Sequence, residues 1–266
     1  MRHRSLLACL PSLCLVSCIL SENPEPTVAV GLSAATDRVH RGMVLNDNEV
    51  AAADVSIEME AWNSALLTFQ FESWMDLRNS TGSAWFPDNQ GGEFSEIDLT
   101  LRYDDSYSIF NYTLGVVSYV LPKGEVFPIS PRTSTNELFA TVQTQVKEVF
   151  PFFQIHGDFD EADGLYFDFG VASKSYTVAD KVVVNGNISL GYATKNQSDW
   201  MYGIKESGFS DLGIEVRGNY EYDERTNLFA SIRYSSIWDD DLRDWFDVIG
   251  IDNDKLLFEI GVAWNL

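Results

Sequence analysis

The chain has 266 residues, with 40 acids against 18 bases and a formal net charge of −22. A chain this acidic lacks the basic surface that nucleic-acid binding requires, so no nucleic acid is expected among its partners. After the leader, no stretch approaches the ~20 apolar residues of a membrane helix, so any crossing of a membrane falls to strands.

Residues 1–21 read as a signal peptide. Arg2 and Arg4 give a positive start, and residues 6–20 are apolar but broken by Pro11, too short to span a bilayer. Leu15-Val16-Ser17-Cys18 matches a bacterial lipobox, which makes Cys18 a candidate lipid anchor; an ordinary secretory cut near Ser21 is the alternative. Removing residues 1–18 takes away Arg2 and Arg4 and no acid, which leaves 16 bases against 40 acids and a net charge of −24. Cys9, Cys14 and Cys18 all lie in this leader, so the rest of the chain has neither a disulfide framework nor thiol chemistry. Residues 22–266 read as one domain.

The spacing predicts strands in chain order. Residues 27–35 alternate through Val28, Val30 and Leu32, followed by a polar loop over 37–49. Residues 50–62 set Val55, Ile57, Met59 and Ala61 against Asp54, Ser56, Glu58 and Glu60. After a tight connection at 63–64, residues 65–74 continue the alternation, and a long loop covers 76–92. Residues 93–103 form the clearest strand, with Ile97, Leu99, Leu101 and Tyr103 opposite Glu96, Asp98, Thr100 and Arg102. A short turn at 104–106 leads into 107–120, then a proline-containing loop over 121–134. Strands over 137–146 and 150–159 flank a turn at 147–148, and a second short turn covers 160–164. Strands over 165–176 and 181–193, a loop over 194–208, and strands over 212–222 and 228–237 follow. An acidic loop spans 238–253, and residues 254–266 make the last strand, with Phe258, Ile260, Val262, Trp264 and Leu266 on one face. No helical period and no repeat of fixed length is read.

Twelve strands is an even number, and connections after odd strands are long while those after even strands are short, with 160–164 the exception. The expected fold is therefore all-β: a single antiparallel transmembrane β-barrel of about 12 strands, with short periplasmic turns and longer extracellular loops. The last strand should close onto the first and act as the assembly signal for the barrel-assembly machinery. Trp62 and Trp264 at one rim, and Trp74 and Trp238 at the other, read as membrane-interface aromatics. On this arrangement outer-membrane lipid is the partner of the apolar face, and small solutes are the partners of the polar one.

A membrane barrel turns its polar face inward. The predicted pore lining is Glu58, Glu60, Glu72, Glu96, Asp98, Arg102, Glu137, His156, Asp158, Asp168, Lys174, Glu215, Arg217, Arg233 and Glu259, ten acids against four bases with His156 neutral. An acidic lining favours cations. The leading expectation is a porin-like channel for small cationic or neutral solutes. The alternatives are a barrel plugged by salt bridges that serves as scaffold, adhesin or receptor, and a lipid-anchored soluble barrel binding an apolar ligand.

No catalytic residue, metal site or cofactor is expected. The acidic run from Asp158 to Gly164 misses the spacing of a calcium loop, because its third acid and its glycine come one place late. His40 and His156 are the two histidines outside the leader, and neither belongs to a visible triad, so an enzyme is not expected.

Five short pieces give the chain a family likeness: Asp37-Arg-Val-His-Arg-Gly42, Glu96-Ile-Asp98 with Tyr103, Asn136-Glu137, Asp158-Phe-Asp-Glu-Ala-Asp-Gly-Leu-Tyr166, and Ser210-Asp-Leu-Gly213. With these the chain resembles the TorF-type porin family, a bacterial family of otherwise unknown function. The resemblance implies a small outer-membrane β-barrel of a Gram-negative cell and carries no catalytic residue. The lipobox and the terminal Leu266 depart from the pattern and leave open a lipid-anchored variant.

Overall fold

The computed structural model describes residues 25–61, 65–78, 91–122 and 134–266. The expectations for the signal peptide, Cys18 and Trp62 lie outside these residues.

Among the described residues, fifteen strands and two helices follow in chain order: β1 (Thr27–Ala35), β2 (Arg38–His40), β3 (Met43–Asn46), β4 (Val50–Glu60), β5 (Leu66–Asp76), β6 (Phe94–Tyr107), β7 (Phe110–Val120), β8 (Thr135–Thr144), β9 (Val149–Asp158), β10 (Leu165–Ser173), β11 (Tyr176–Ala179), β12 (Val182–Ala193), α1 (Lys195–Tyr202), β13 (Gly208–Glu221), β14 (Thr226–Ile237), α2 (Asp240–Ile249) and β15 (Asp254–Asn265). Twelve of the strands form one closed antiparallel sheet. The order runs from β10 back through β4 to β1, across the β1–β15 seam to β12, and closes through β10–β12. The seam sets Val30 opposite Trp264 and Ala35 opposite Glu259, so the final strand pairs with the first. Closure leaves none of the twelve with an open edge, as lipid requires.

The two faces sort as the alternation demands. Leu32, Phe69, Leu114, Leu138, Phe169, Val216 and Ile260 point outward, with Leu138 at 60% and Ile260 at 65% exposure. Leaving such side chains in water would forgo ~1.5–3 kcal/mol each, so this belt belongs in a bilayer. The polar residues line the inside, which removes the soluble ligand-binding alternative, since that barrel would carry its apolar residues within. Three aromatics on the inner face fill the gaps left by glycines on neighbouring strands. Phe139 covers Gly115, Phe152 covers Gly170 and Phe229 covers Gly261, each ring lying where a Cβ would otherwise stand.

Several boundaries differ from the sequence reading. The turn expected at 104–106 lies at Ser108–Ile109, because Asp104 and Asp105 are held within the ladder by Thr113 (2.5 Å) and by Tyr103 and Tyr112 (2.9 and 2.7 Å). Ser108 takes the left-handed conformation instead (φ 60°). The strand read over 165–176 ends at Ser173, and β11 folds back on β12 as a small hairpin at the short-turn rim. The short 159–164 connection is built on Asp158, whose Oδ1 accepts the amides of Asp160, Ala162 and Asp163 (2.9–3.2 Å) while Thr135 donates to Oδ2.

Two loops expected to be irregular contain helices. α1 ends at Gly203, in the left-handed conformation. α2 begins at Asp239, whose carboxylate accepts the amides of Asp241 and Leu242 (3.0 and 3.1 Å), with Asp240 and Asp241 favourably placed near the positive end of the helix. Leu242, Trp245, Phe246 and Ile249 lie on one face of α2, against the long-loop end of the barrel.

Candidate functional site

The loop between β1 and β4 does not stay outside. Its β2–β3 hairpin enters the lumen from the long-loop end, and Val39, Met43, Val44 and Leu45 become a buried core beneath α1 and α2. The turn is two residues long, Arg41 (φ 49°) and Gly42 (φ 78°), as a tight hairpin of the right twist requires. A Cβ on Gly42 would stand 2.7 Å from Asp211 Cβ and 2.8 Å from Ile237 Cδ1, so both conformation and space call for glycine.

Two arginines fix the hairpin to the wall. Arg41 meets Glu137 with both terminal nitrogens, each at 2.7 Å, and Glu137 is 1% exposed. His156 Nδ1 lies 3.0 Å from the same carboxylate, and Tyr119 donates to it at 3.4 Å. Arg38 bonds Glu96 through Nε and Nη2 (3.2 and 2.9 Å) and lies over the Trp74 ring at 4.1 Å. Tyr202 of α1 donates to the Arg41 carbonyl at 2.8 Å, tying the turn to the outer helices. Burial, together with the charges of Arg41 and Arg38, holds the His40 imidazole well below its ordinary value, so His40 is neutral inside the barrel.

The predicted pore residues occupy several environments. Glu96 and Glu137 face the lumen and are consumed by the hairpin arginines. Glu58, Glu72, Asp98, Asp168, Glu215, Arg217, Arg233 and Glu259 share the inner face. Arg102 also faces inward and pairs with Asp104 at 3.0 Å. Asp158 organises its own loop rather than a pore. Glu60 closes β4 at the rim, exposed. Lys174 lies beyond the end of β10, where it pairs with Glu148 of the neighbouring turn, so it is a rim residue. Trp74 is corrected as well: it shares the inner face with Glu96 and stacks under Arg38, so it is no interface aromatic. Trp238 is exposed next to the last residue of β14, and Trp264 lies on the outer face.

Sequence reasoning missed Arg38, Arg41, Asp54 and Asp211. Asp54 extends the acidic row, since Asp54, Glu72 and Asp98 are direct cross-strand partners on β4, β5 and β6. Asp211 accepts from Tyr166 (3.1 and 3.0 Å) and Ser210 (2.7 Å). The signal for the arginines was the 37–42 motif itself, whose glycine after an arginine marks the hairpin turn.

Among the described residues, two cavities adjoin the hairpin. One of about 170 Å³ is bounded by His40, Arg41 and the β7, β9, β10 and β14 walls; one of about 80 Å³ lies beside Arg38 and Trp74. Among the described residues, no group of three or more His, Cys, Asp or Glu side chains is arranged to hold a metal.

No family model matches the chain, and no curated protein does. Solved structures do. LpxR from Salmonella typhimurium aligns over 89% of this chain and 99% of its own, with a TM-score of 0.54 at 10% identity. An outer membrane channel from Pseudomonas putida F1 aligns over 93% and 98%, with 0.51 at 11% identity. The outer membrane phospholipase A of Escherichia coli aligns over 94% and 96%, with 0.46 at 12% identity. At these identities the likeness establishes the fold alone: the chain has the fold of bacterial outer-membrane β-barrels.

Proposed function

We propose that the protein is a porin-like channel of the outer membrane for small cationic or neutral solutes, shut or narrowed at its long-loop end by the β2–β3 hairpin. One observation carries this reading. Asp54, Glu58 and Glu72 stand half-buried on adjacent strands inside the barrel, and none forms an ion pair among the described residues. Unpaired carboxylates persist only where water reaches them, so the lumen below the hairpin is hydrated. Carboxylates on a hydrated wall favour cations. The resemblance to the TorF-type porin family supports the same reading.

The chain is read as non-enzymatic. His156 is engaged by Glu137 and stacked on Phe139, His40 packs edge-on against Tyr119, and no serine or threonine hydroxyl is bonded to either ring among the described residues.

The test is planar-bilayer recording of refolded protein under a salt gradient. Discrete steps with a cation-favouring reversal potential support the channel, and Asp54→Asn with Glu72→Gln should move that potential toward zero. A folded barrel that gives no steps favours a second reading: a plugged barrel acting as scaffold or receptor through its long-loop face. The observation on that side is the depth of the hairpin and its two-point attachment at Glu96 and Glu137.

A further inference from the structure

The larger cavity has a charge pattern that the hairpin latch leaves unused. Of the charged side chains around it, Arg41 is consumed by Glu137, and Asp211 is consumed by Tyr166 and Ser210. His40 is neutral and His156 is engaged. Arg233 and Asp168 remain with unused hydrogen-bonding capacity, while Asp211 keeps its charge, because hydroxyl donors satisfy a carboxylate without cancelling it. Arg233, on β14, forms no hydrogen bond or ion pair among the described residues. Asp168, on β10, is hydrogen-bonded by Ser189, but its Oδ1 is buried without any partner.

The wall between these two is shaped to stay bare. β12 and β13 separate β10 from β14, and at this level they present Ser189, Gly191 and Gly213. The Arg233 guanidinium lies 3.9 Å, and Ser189 Oγ 3.3 Å, from where a Cβ on Gly213 would stand. A Cβ on Gly191 would come within 2.3 Å of both Asp211 Oδ2 and Tyr166 Oη. Glycines at both positions keep a polar floor free of side chains. No hydrogen bond or ion pair joins Arg233 to Asp168 among the described residues, although the guanidinium acts on the carboxylate through its charge. A ligand carrying both signs can bond both groups at once.

We propose that this cavity binds a small zwitterion, its carboxylate on the Arg233 guanidinium and its ammonium on Asp168. The guanidinium fork suits a carboxylate, and the unpartnered Asp168 Oδ1 needs a donor. A space of about 170 Å³ holds a ligand the size of a small amino acid. The inference deepens the channel reading, on which it rests for the ligand's route into the lumen. Binding itself requires no conduction.

The test is therefore calorimetric: refolded protein in detergent titrated with alanine, with acetate and with ethylammonium. Saturable heat with alanine, and affinities for the two single-charge probes weaker by about tenfold or more, are expected. Asp168→Asn and Arg233→Gln should each weaken alanine binding by about tenfold or more. They are independent variants on different strands, each checked for folding by the heat-modified shift of a barrel on gels. Absence of alanine heat, acetate binding as tight as alanine, or full affinity in a folded variant would overturn the site. Alanine binding without bilayer steps would keep the site and sink the channel; steps without alanine binding would do the reverse.

Discussion

The two halves of this barrel have different interiors. At the long-loop end the lumen is packed like the core of a water-soluble protein, with Met43, Val44, Tyr202, Ile237 and Phe246 buried and two arginine–carboxylate pairs set into it. Toward the short-turn end Phe152 and Phe229 cover glycines, while Arg217 (stacked on Phe229 at 3.8 Å), Glu58 and Glu215 remain half-buried. The same strands build both ends. What differs is an inserted segment: the β2–β3 hairpin brings apolar side chains and two cations to the upper half and nothing to the lower. A barrel wall therefore does not decide whether its lumen is open; a loop of the right length and charge does.

The sharpest way to break the contrast is to remove one half of the latch. Glu137→Ala leaves Arg41 buried and unpaired, at a cost of about 3–5 kcal/mol, and should lower the unfolding midpoint in guanidinium strongly. Replacing both partners, Arg41→Met with Glu137→Leu, should recover most of that loss. A double variant as unstable as the single one would show that the pair is not the anchor. Gly42→Ala acts on the turn instead. It forces a Cβ into the left-handed region against Asp211 and Ile237, costs about 1–3 kcal/mol, and should raise hydrogen exchange across β2–β3 while leaving the short-turn half protected. Asp239→Ala removes the cap of α2, worth about 1 kcal/mol, and should loosen the lid over the hairpin without changing ion preference.

The smallest effect is a pH dependence. The inserted hairpin holds His40 with its pKa depressed, so insertion binds fewer protons than withdrawal, where His40 returns toward ~6.5. Insertion is fully favoured above that value and weakens as the pH falls below it. Arg38, Arg41, Tyr119, Glu137 and His156 surround the ring. Channel opening should rise between about pH 7 and 5, and His40→Gln should blunt the rise. An undiminished rise in that variant would contradict the assignment to His40.

Much of the fold was legible in the alternation. The period of two and the long–short rhythm of the connections led to twelve strands and to the inward set that includes Glu72, Asp98 and Glu259. Local pattern could not reveal where a loop goes. The 37–49 segment is polar at both ends, and its buried Met43-Val44-Leu45 looks like any short apolar run until the lumen that receives it exists. Trp74 was misplaced for the same reason: a tryptophan at a strand end belongs to a membrane girdle unless an arginine inside the barrel covers it. The helix over 240–249 was readable, since Asp239 caps it, Leu242, Phe246 and Ile249 repeat at helical spacing and Gly250 ends it. The density of aspartates masked that period.

The central claim is that the hairpin, not the wall, closes the lumen. It is tested most directly by single-channel recording of the full chain beside a variant in which residues 38–46 are replaced by a short glycine–serine linker, both verified as folded barrels. The account predicts small or rare steps for the former and larger, sustained, cation-favouring steps for the latter. A folded variant that still passes no current, or that conducts no more than the full chain, would contradict it.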